Sequence, residues 1–169
     1  MAALLMTAGA FAQKSGIPVI KEIVDIERDG MTAISVFNMP AEGVNHYYLT
    51  VGTLGFGDEV VQILFDPVFQ LFLPLGDTLE EAIASLQEMQ GLFKQPKDSS
   101  LERSGCLAFG FPNDQLETVT VTHRKPLLTR QLEFSLQREG YIRATYVDKA
   151  DMGSLITSVR FYRKIHPRE

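Results

Sequence analysis

Tryptophan is absent from this chain, and cysteine occurs once, as Cys106. A single cysteine excludes an internal disulfide, and the lack of tryptophan removes the aromatic ring that serves best as a stacking platform. With 169 residues, the chain is long enough to fold as one domain without needing a disulfide or a metal. Cys106 begins the apolar stretch Cys-Leu-Ala-Phe, so we predict a buried thiol rather than a nucleophile.

The chain also lacks an excess of basic residues and a long apolar run. Its net charge is −5 and its isoelectric point is about 5.2, which argues against binding to the phosphate backbone of a nucleic acid. No run reaches the roughly 18 apolar residues of a membrane helix, so we expect no membrane span. One basic cluster lies near the end, and we interpret it either as solvated residues on the outer face of a last strand and a tail or as a polyanion site. Its members are Arg160, Arg163, Lys164, His166 and Arg168.

The first twelve residues have the composition of an export signal. They are apolar and uncharged and end in Ala10-Phe11-Ala12, the small-x-small pattern that signal peptidase cuts. We predict cleavage after Ala12, a single mature domain over 13–169, and export to the periplasm or cell surface of a bacterium. The positive segment that normally opens a signal is missing, which predicts a translation start upstream of Met1. A buried N-terminal helix is the alternative.

Short alternating stretches joined by turn residues predict a mainly β, α+β domain. Leu132, Phe134 and Leu136 alternate with polar residues, as in a half-buried strand. The pair Asp29-Gly30 predicts a hairpin between strands at 19–27 and 31–37. Tight polar turns join antiparallel neighbours, so we predict a meander of about eight to ten strands, as a sandwich or a partly open barrel. No internal repeat is visible.

Two further segments are assigned from their composition, one as a loop and one as a strand. The polar residues 97–105 predict a mobile loop. After a predicted turn at 148–153, the alternation of Leu155, Thr157, Val159 and Phe161 predicts a last strand over 155–165, with these four side chains pointing inward.

One amphipathic helix is predicted at about 78–94 and should pack on the sheet. Asp77 can cap it, with Glu80 completing a capping box, and Pro96 forbids continuation. Its apolar residues recur at steps of three and four, which puts them on one face. They are Leu79, Ala82, Ile83, Leu86, Met89 and Phe93.

The segment 60–75 carries more apolar surface than one strand buries. Within it, 68–75 is either a buried strand or a tight apolar loop. The segment either covers the helix or forms an apolar ligand cavity or a partner surface. We therefore take Phe65, Phe69 and Phe72 as candidate ligand-binding residues, with His46 and Tyr48 as the polar side of a pocket.

Motifs that carry enzyme chemistry are missing from the sequence. There is no dinucleotide-binding or phosphate-binding glycine motif, no His-Glu-x-x-His and no Gly-x-Ser-x-Gly. The histidines His46, His123 and His166 are isolated in sequence, whereas metal sites favour closely spaced pairs. We therefore assign no catalytic residue, metal or cofactor.

These patterns favour an exported, non-enzymatic binding or interaction module, whose partner would be a small apolar ligand or a cell-surface protein. One alternative is a small secreted hydrolase whose site is assembled from distant strands around His46, Tyr47, Asp66 and His123. Another is a structural subunit of a cell-surface assembly that joins its neighbours through an uncovered edge strand.

Overall fold

Eight antiparallel strands lie side by side in the order in which they occur along the chain. The computed structural model describes residues 21–28, 31–53, 69–109, 116–138 and 141–167. The predicted signal at 1–12 therefore lies outside the described residues, as do Phe65 and Asp66. The strands are β1 (Lys21–Arg28), β2 (Met31–Asn38), β3 (Tyr47–Thr53), β4 (Phe69–Gly76), β5 (Ser100–Phe109), β6 (Glu117–Arg124), β7 (Gln131–Arg138) and β8 (Tyr141–Asp148).

The predicted antiparallel meander is confirmed. The first hairpin pairs β1 with β2 from Lys21 opposite Asn38 to Arg28 opposite Met31. The sheet is not closed into a barrel, since β1 and β8 are its two edges. It is nevertheless strongly curled, because β3 and β8 approach one another to within 8 Å between Cα atoms although four strands separate them.

The predicted helix is also confirmed, as α1 (Leu79–Gly91) followed by a 3₁₀ turn (Leu92–Lys94). The predicted cap was one residue too early. Thr78 is the N-cap, its side chain accepts a hydrogen bond from the backbone N–H of Glu81, and the Glu81 carboxylate accepts one from the Thr78 N–H. This reciprocal arrangement satisfies two N–H groups that the helix itself cannot pair.

Strand β4 resolves the alternatives for the apolar segment 68–75. Its residues Leu71, Leu73 and Leu75 are buried in the same hydrophobic cluster as the apolar face of α1. This part of the segment therefore covers the helix, as one of the interpretations held, and the loop interpretation is wrong.

The prediction of a mobile loop at 97–105 is wrong for most of that segment, because β5 begins at Ser100. Strand β5 pairs with β6 from Ser100 to Arg103 and again at Cys106, which is opposite Glu117, and Leu107 and Ala108 pair with β4. A bulge between Arg103 and Cys106 interrupts the pairing with β6, and within it Gly105 has φ +74°, a conformation that costs glycine little. Pro74 of β4 has no N–H to donate and lies next to this bulge, where the two strands are no longer paired.

The predicted last strand is also wrong, because 149–165 forms a second helix, α2 (Lys149–Ile165). The first turn of this helix includes residues predicted as a turn. Its buried residues recur at helical spacing and are Met152, Leu155, Ile156 and Val159. Phe161, predicted to point inward, is 63% exposed. The basic residues Arg160, Arg163 and Lys164 lie on the exposed side of this helix rather than on a strand.

Both helices contribute to one core. Helix α1 contacts β3 and β4, whereas α2 contacts β1, β2 and β8, and the two helices contact each other. Their buried side chains belong to a single hydrophobic cluster with those of the sheet. The core therefore lies between the helix pair and the face of the sheet that carries residues such as Leu49 and Phe134. No helix within the described ranges combines the length and the apolar character needed to cross a membrane.

Candidate functional site

The outer face of the C-terminal strands carries a group of charged and polar side chains near the β6–β7 turn (125–130). In an antiparallel sheet, directly opposed residues point to the same face. Glu133 of β7 is paired with Tyr146 of β8, and Arg124 of β6 is paired with Gln131 of β7. Since Gln131 and Glu133 are two residues apart on one strand, all four side chains share a face.

Arg124 holds this group together. Its guanidinium donates to Asp98 Oδ1 at 2.5 Å and to Glu133 Oε1 at 2.9 Å. The hydroxyl of Tyr146 donates to the other Glu133 oxygen at 3.0 Å. The Arg124 hydrogen bond lowers the pKa of Glu133, and the bond to the ionised Glu133 raises the pKa of the Tyr146 hydroxyl. Glu133 is therefore held as a carboxylate with both oxygens engaged.

An open depression of about 410 Å³ lies over this network. Its lining residues are Lys97, Asp98, Arg124, Lys125, Pro126, Gln131, Glu133 and Tyr146. The carboxylates of Asp98 and Glu133 both bind Arg124. Asp98 also lies 3.9 Å from Lys97, so the lining has three basic and two acidic side chains. This small excess of positive charge suits an anionic partner better than a cation.

The β6–β7 turn beside the depression presents two leucines to solvent. Leu127 is 95% exposed and Leu128 is 97% exposed. The turn is closed by hydrogen bonds from the N–H and the hydroxyl of Thr129 to the carbonyl of Pro126, both at 3.1 Å. Leu127 has φ +50°, a left-handed conformation that is unfavourable for a residue with a side chain. The turn is thus a fixed, strained structure that keeps both side chains out of the core.

The C-terminal base of the turn is tied to the rest of the domain. The Arg130 guanidinium donates to the carbonyl of Phe93 at 3.2 Å. The Arg130 carbonyl accepts a hydrogen bond from the N–H of Lys149, at the start of α2. These contacts connect the turn to both helices of the domain.

The candidate residues His46 and Tyr48 lie close to one carboxylate. The imidazole Nδ1 of His46 is 2.7 Å from Asp77 Oδ1, and both side chains are partly exposed. Burial, with a further contribution from the negative charge of Asp77, raises the pKa of Tyr48. Phe72 is buried and lies on the same face of the sheet as Tyr48, because it is paired with Thr50, two residues along β3. The Phe65 residue and the Phe69 side chain lie outside what the structure describes.

His123 has a different environment. It is 3% exposed, its Nδ1 is 3.1 Å from the Gln95 carbonyl, and the Phe93 ring meets it edge-on at 5.7 Å between centroids. Its buried Nε2 has no hydrogen-bond partner within the described part of the chain. The described contacts thus connect His46 with Asp77 and His123 with Gln95, and none joins the two imidazoles.

Cys106 is a buried free thiol, which confirms the prediction for this residue. Burial raises its pKa to about 11. Because the thiolate is the reactive form, this cysteine is a poor nucleophile near neutral pH.

No cluster of three or more histidine, cysteine or acidic side chains that could hold a metal ion occurs among the residues the structure describes. No family model matches this sequence, and neither a curated protein nor a solved structure is significantly similar to it.

Sequence reasoning did not find the exposed leucines of the β6–β7 turn. A signal was present, because the alternation of threonine with Val119, Val121 and His123 ends shortly before Pro126, and two leucines then follow between Lys125 and Arg130. Turns normally carry glycine, asparagine, aspartate or serine at such places. An apolar pair there indicates either a buried turn or an exposed contact, and only the structure distinguishes these.

Proposed function

We propose that this protein is a non-enzymatic binding or interaction module that acts outside the cytoplasm and makes contact through the β6–β7 turn. The observation that carries this proposal is the exposure of Leu127 and Leu128 by 95% and 97%. Exposed apolar side chains are common singly. Two adjacent leucines held in a strained, hydrogen-bonded turn beside a charged depression are better explained by a partner that covers them.

The chemistry of the depression supports binding rather than catalysis. A general acid or base must exchange a proton near the working pH. Glu133 has a lowered pKa and both of its oxygens accept hydrogen bonds, so it stays ionised and orients Arg124. Such a network fixes the shape of a recognition surface.

The test compares binding to washed bacterial cell envelopes by sedimentation. We expect the protein to sediment with envelopes, and we expect the double variant L127S/L128S to lose most of this binding. Ile142→Ser is the matched control, because Ile142 is also an exposed apolar residue of the sheet, at 71%. Equal binding by wild type and L127S/L128S would contradict the proposal.

Export is proposed from the composition of Met1–Ala12 alone. The intact mass of the protein recovered from the periplasm of bacteria that express the chain tests it. A chain that begins at Gln13 is the expected result, and an unprocessed Met1 would contradict export. The same native spectrum tests the alternatives of a retained small apolar ligand, as added mass, and of a surface assembly, as oligomers.

A hydrolase is the second candidate, and the contact between His46 and Asp77 favours it. A carboxylate at 2.7 Å from Nδ1 is the arrangement that orients an imidazole base. Hydrolysis of a panel of esters, phosphoesters and glycosides by the wild-type protein that is abolished in His46→Ala would establish this activity. Absence of turnover with the whole panel would favour the binding module.

A further inference from the structure

The β6–β7 turn combines an apolar tip with a basic margin, and this combination identifies the class of its partner. Lys125 and Arg130 flank the tip in sequence, and Lys97 and Arg124 line the adjoining depression. The nearby carboxylates of Asp98 and Glu133 both bind Arg124, and Asp98 also lies 3.9 Å from Lys97. Four basic side chains thus lie near two acidic ones, which leaves a local excess of positive charge in a chain whose net charge is −5.

The tip of the turn is unlike the centre of a typical protein–protein interface, although Arg124 and Tyr146 of the depression are residue types found there. Such centres are depleted in lysine, and leucine is under-represented among their hot spots. Two leucines flanked by lysine and arginine instead match the boundary of a lipid bilayer, where apolar groups enter the acyl region and cations contact phosphate headgroups.

We propose that the partner is an anionic lipid bilayer surface, which Leu127 and Leu128 enter while Lys125 contacts the headgroup phosphates. Lys97 and Arg130, which also contact Asp98 and the Phe93 carbonyl, add positive charge nearby. This inference rests on the proposed function and names its partner. The closed turn supports it, because the hydrogen bonds of Thr129 and the left-handed φ of Leu127 keep the leucines outward before any contact is made. The ordering cost of insertion is therefore small.

The absence of tryptophan makes a direct test possible. A Leu128→Trp variant of the full chain has one tryptophan, placed at the tip of the turn. With vesicles containing phosphatidylcholine and about one third phosphatidylglycerol, we expect its emission to shift to shorter wavelength and to be quenched by lipids brominated on the acyl chain, since an indole favours the interfacial region. Ile142→Trp, with its probe on the open sheet face, should show neither change. Unchanged Leu128→Trp emission would overturn the proposal.

Vesicle sedimentation measures the apolar contribution of the leucines and the electrostatic contribution of the basic residues separately. We expect L127S/L128S to bind at least about 10-fold more weakly, because each leucine loses its transfer into the apolar phase. Lys125→Gln should bind the vesicles about fivefold more weakly. Raising the salt concentration should likewise weaken vesicle binding by the wild-type protein. Far-UV circular dichroism and the melting temperature of each variant show that the fold is intact. Wild-type affinity that is equal for neutral and anionic vesicles would overturn the electrostatic part.

The outcomes distinguish this inference from the proposed function. Envelope binding that depends on the leucines, without binding to protein-free vesicles, would identify a protein partner, so that the proposed function would stand and the lipid inference would fail. If the wild-type protein binds neither envelopes nor vesicles, both the proposed function and the lipid inference fail. Vesicle binding that persists in L127S/L128S would place the lipid contact elsewhere and overturn the inference.

Discussion

The N-terminal strands β1–β4 and the C-terminal strands β5–β8 are each followed by a helix that packs into the common core, but the two sets differ on the opposite face of the sheet. In the first set that face is buried at Ser35, Thr50 and Phe72, with exposures of 1%, 2% and 7%. In the second set the corresponding face is buried at Thr122 on β6 but is open at the edge strand, where Ile142 and Tyr146 on β8 are 71% and 51% exposed.

The difference shows that two sets of strands with the same arrangement, four strands and then a helix, can have different roles. Polar groups on a buried face must find partners within the protein, and the hydroxyls of Ser35 and Thr50 are accordingly hydrogen-bonded to each other. Polar groups on the open face can bind solvent or ligands, and there the chain places the network of Arg124, Glu133 and Tyr146. The first set contributes mainly stability, and the second carries the proposed contact surface.

The largest expected effect concerns the core that both sets share. Phe134→Ala in β7 and Leu49→Ala in β3 remove side chains that are fully buried in one cluster. We expect each to lower the free energy of unfolding by about 3–5 and 2–5 kcal/mol, respectively, because each leaves a cavity. Urea unfolding followed by circular dichroism measures this change.

Both core variants should keep a single cooperative transition, since the cluster is continuous. Ile142→Ala is the control and should change stability by less than about 0.5 kcal/mol, because the side chain is on the surface. Two separate transitions in either core variant would show that the two sets of strands unfold independently.

The second effect concerns the hydroxyl pair on the buried face. Thr50→Val keeps the shape of the side chain but leaves the Ser35 hydroxyl without its partner, so we expect a loss of about 1–3 kcal/mol. The double variant S35A/T50V should lose less than the sum of the two single variants.

Ser135→Ala is the matched control on the other set of strands. Its hydroxyl donates to the Thr120 carbonyl at 3.3 Å in a half-buried position, so the loss should be below about 1 kcal/mol. A cost for Ser135→Ala as large as that for Thr50→Val would contradict the proposed difference between the two faces.

The smallest effect concerns the open charged network and depends on pH. The Arg124 hydrogen bond lowers the pKa of Glu133 in the folded protein. Its contribution to stability is therefore fully present above the ordinary glutamate pKa of about 4.3 and is lost as the pH falls through the lowered value. Because Arg124 is 39% exposed, solvent screening limits the loss in Glu133→Gln at pH 7 to about 0.5–1 kcal/mol.

Chemical denaturation of wild type and Glu133→Gln between pH 3 and pH 7 measures this contribution. The two proteins should converge in stability at the acid end, because protonated glutamate and glutamine are then nearly equivalent. A difference that stays constant with pH would show that the substitution acts through packing rather than charge.

Local sequence patterns correctly predicted the elements whose residues fit only one type of secondary structure. The apolar face of α1 and the alternation along β7 each specify one type of element, and Pro96 limits the helix. The segment 155–165 was ambiguous, because Leu155 and Val159 satisfy both a strand and a helix pattern and the β-branched Thr157 favours a strand. The exposed Phe161 shows that packing against β1 and β8 selected the helix.

The candidate site was predicted only in part. His46 and Tyr48 were singled out for their chemistry, but their contact with Asp77, 31 positions from His46, depends on the pairing of β3 with the end of β4. The leucines of the β6–β7 turn had no periodic pattern to mark them as exposed. Their exposure follows from where the turn lies on the finished domain.

Local periodicity, turn residues and an apolar neighbourhood were enough to predict the antiparallel meander, the helix α1 and the burial of Cys106. Contacts between distant parts of the chain were needed to establish that β5 pairs with both β4 and β6, that 149–165 is a helix, and which side chains of the C-terminal strands are exposed. Hydrogen-bond partners and burial depend on residues distant in sequence, and these can override a weak local preference.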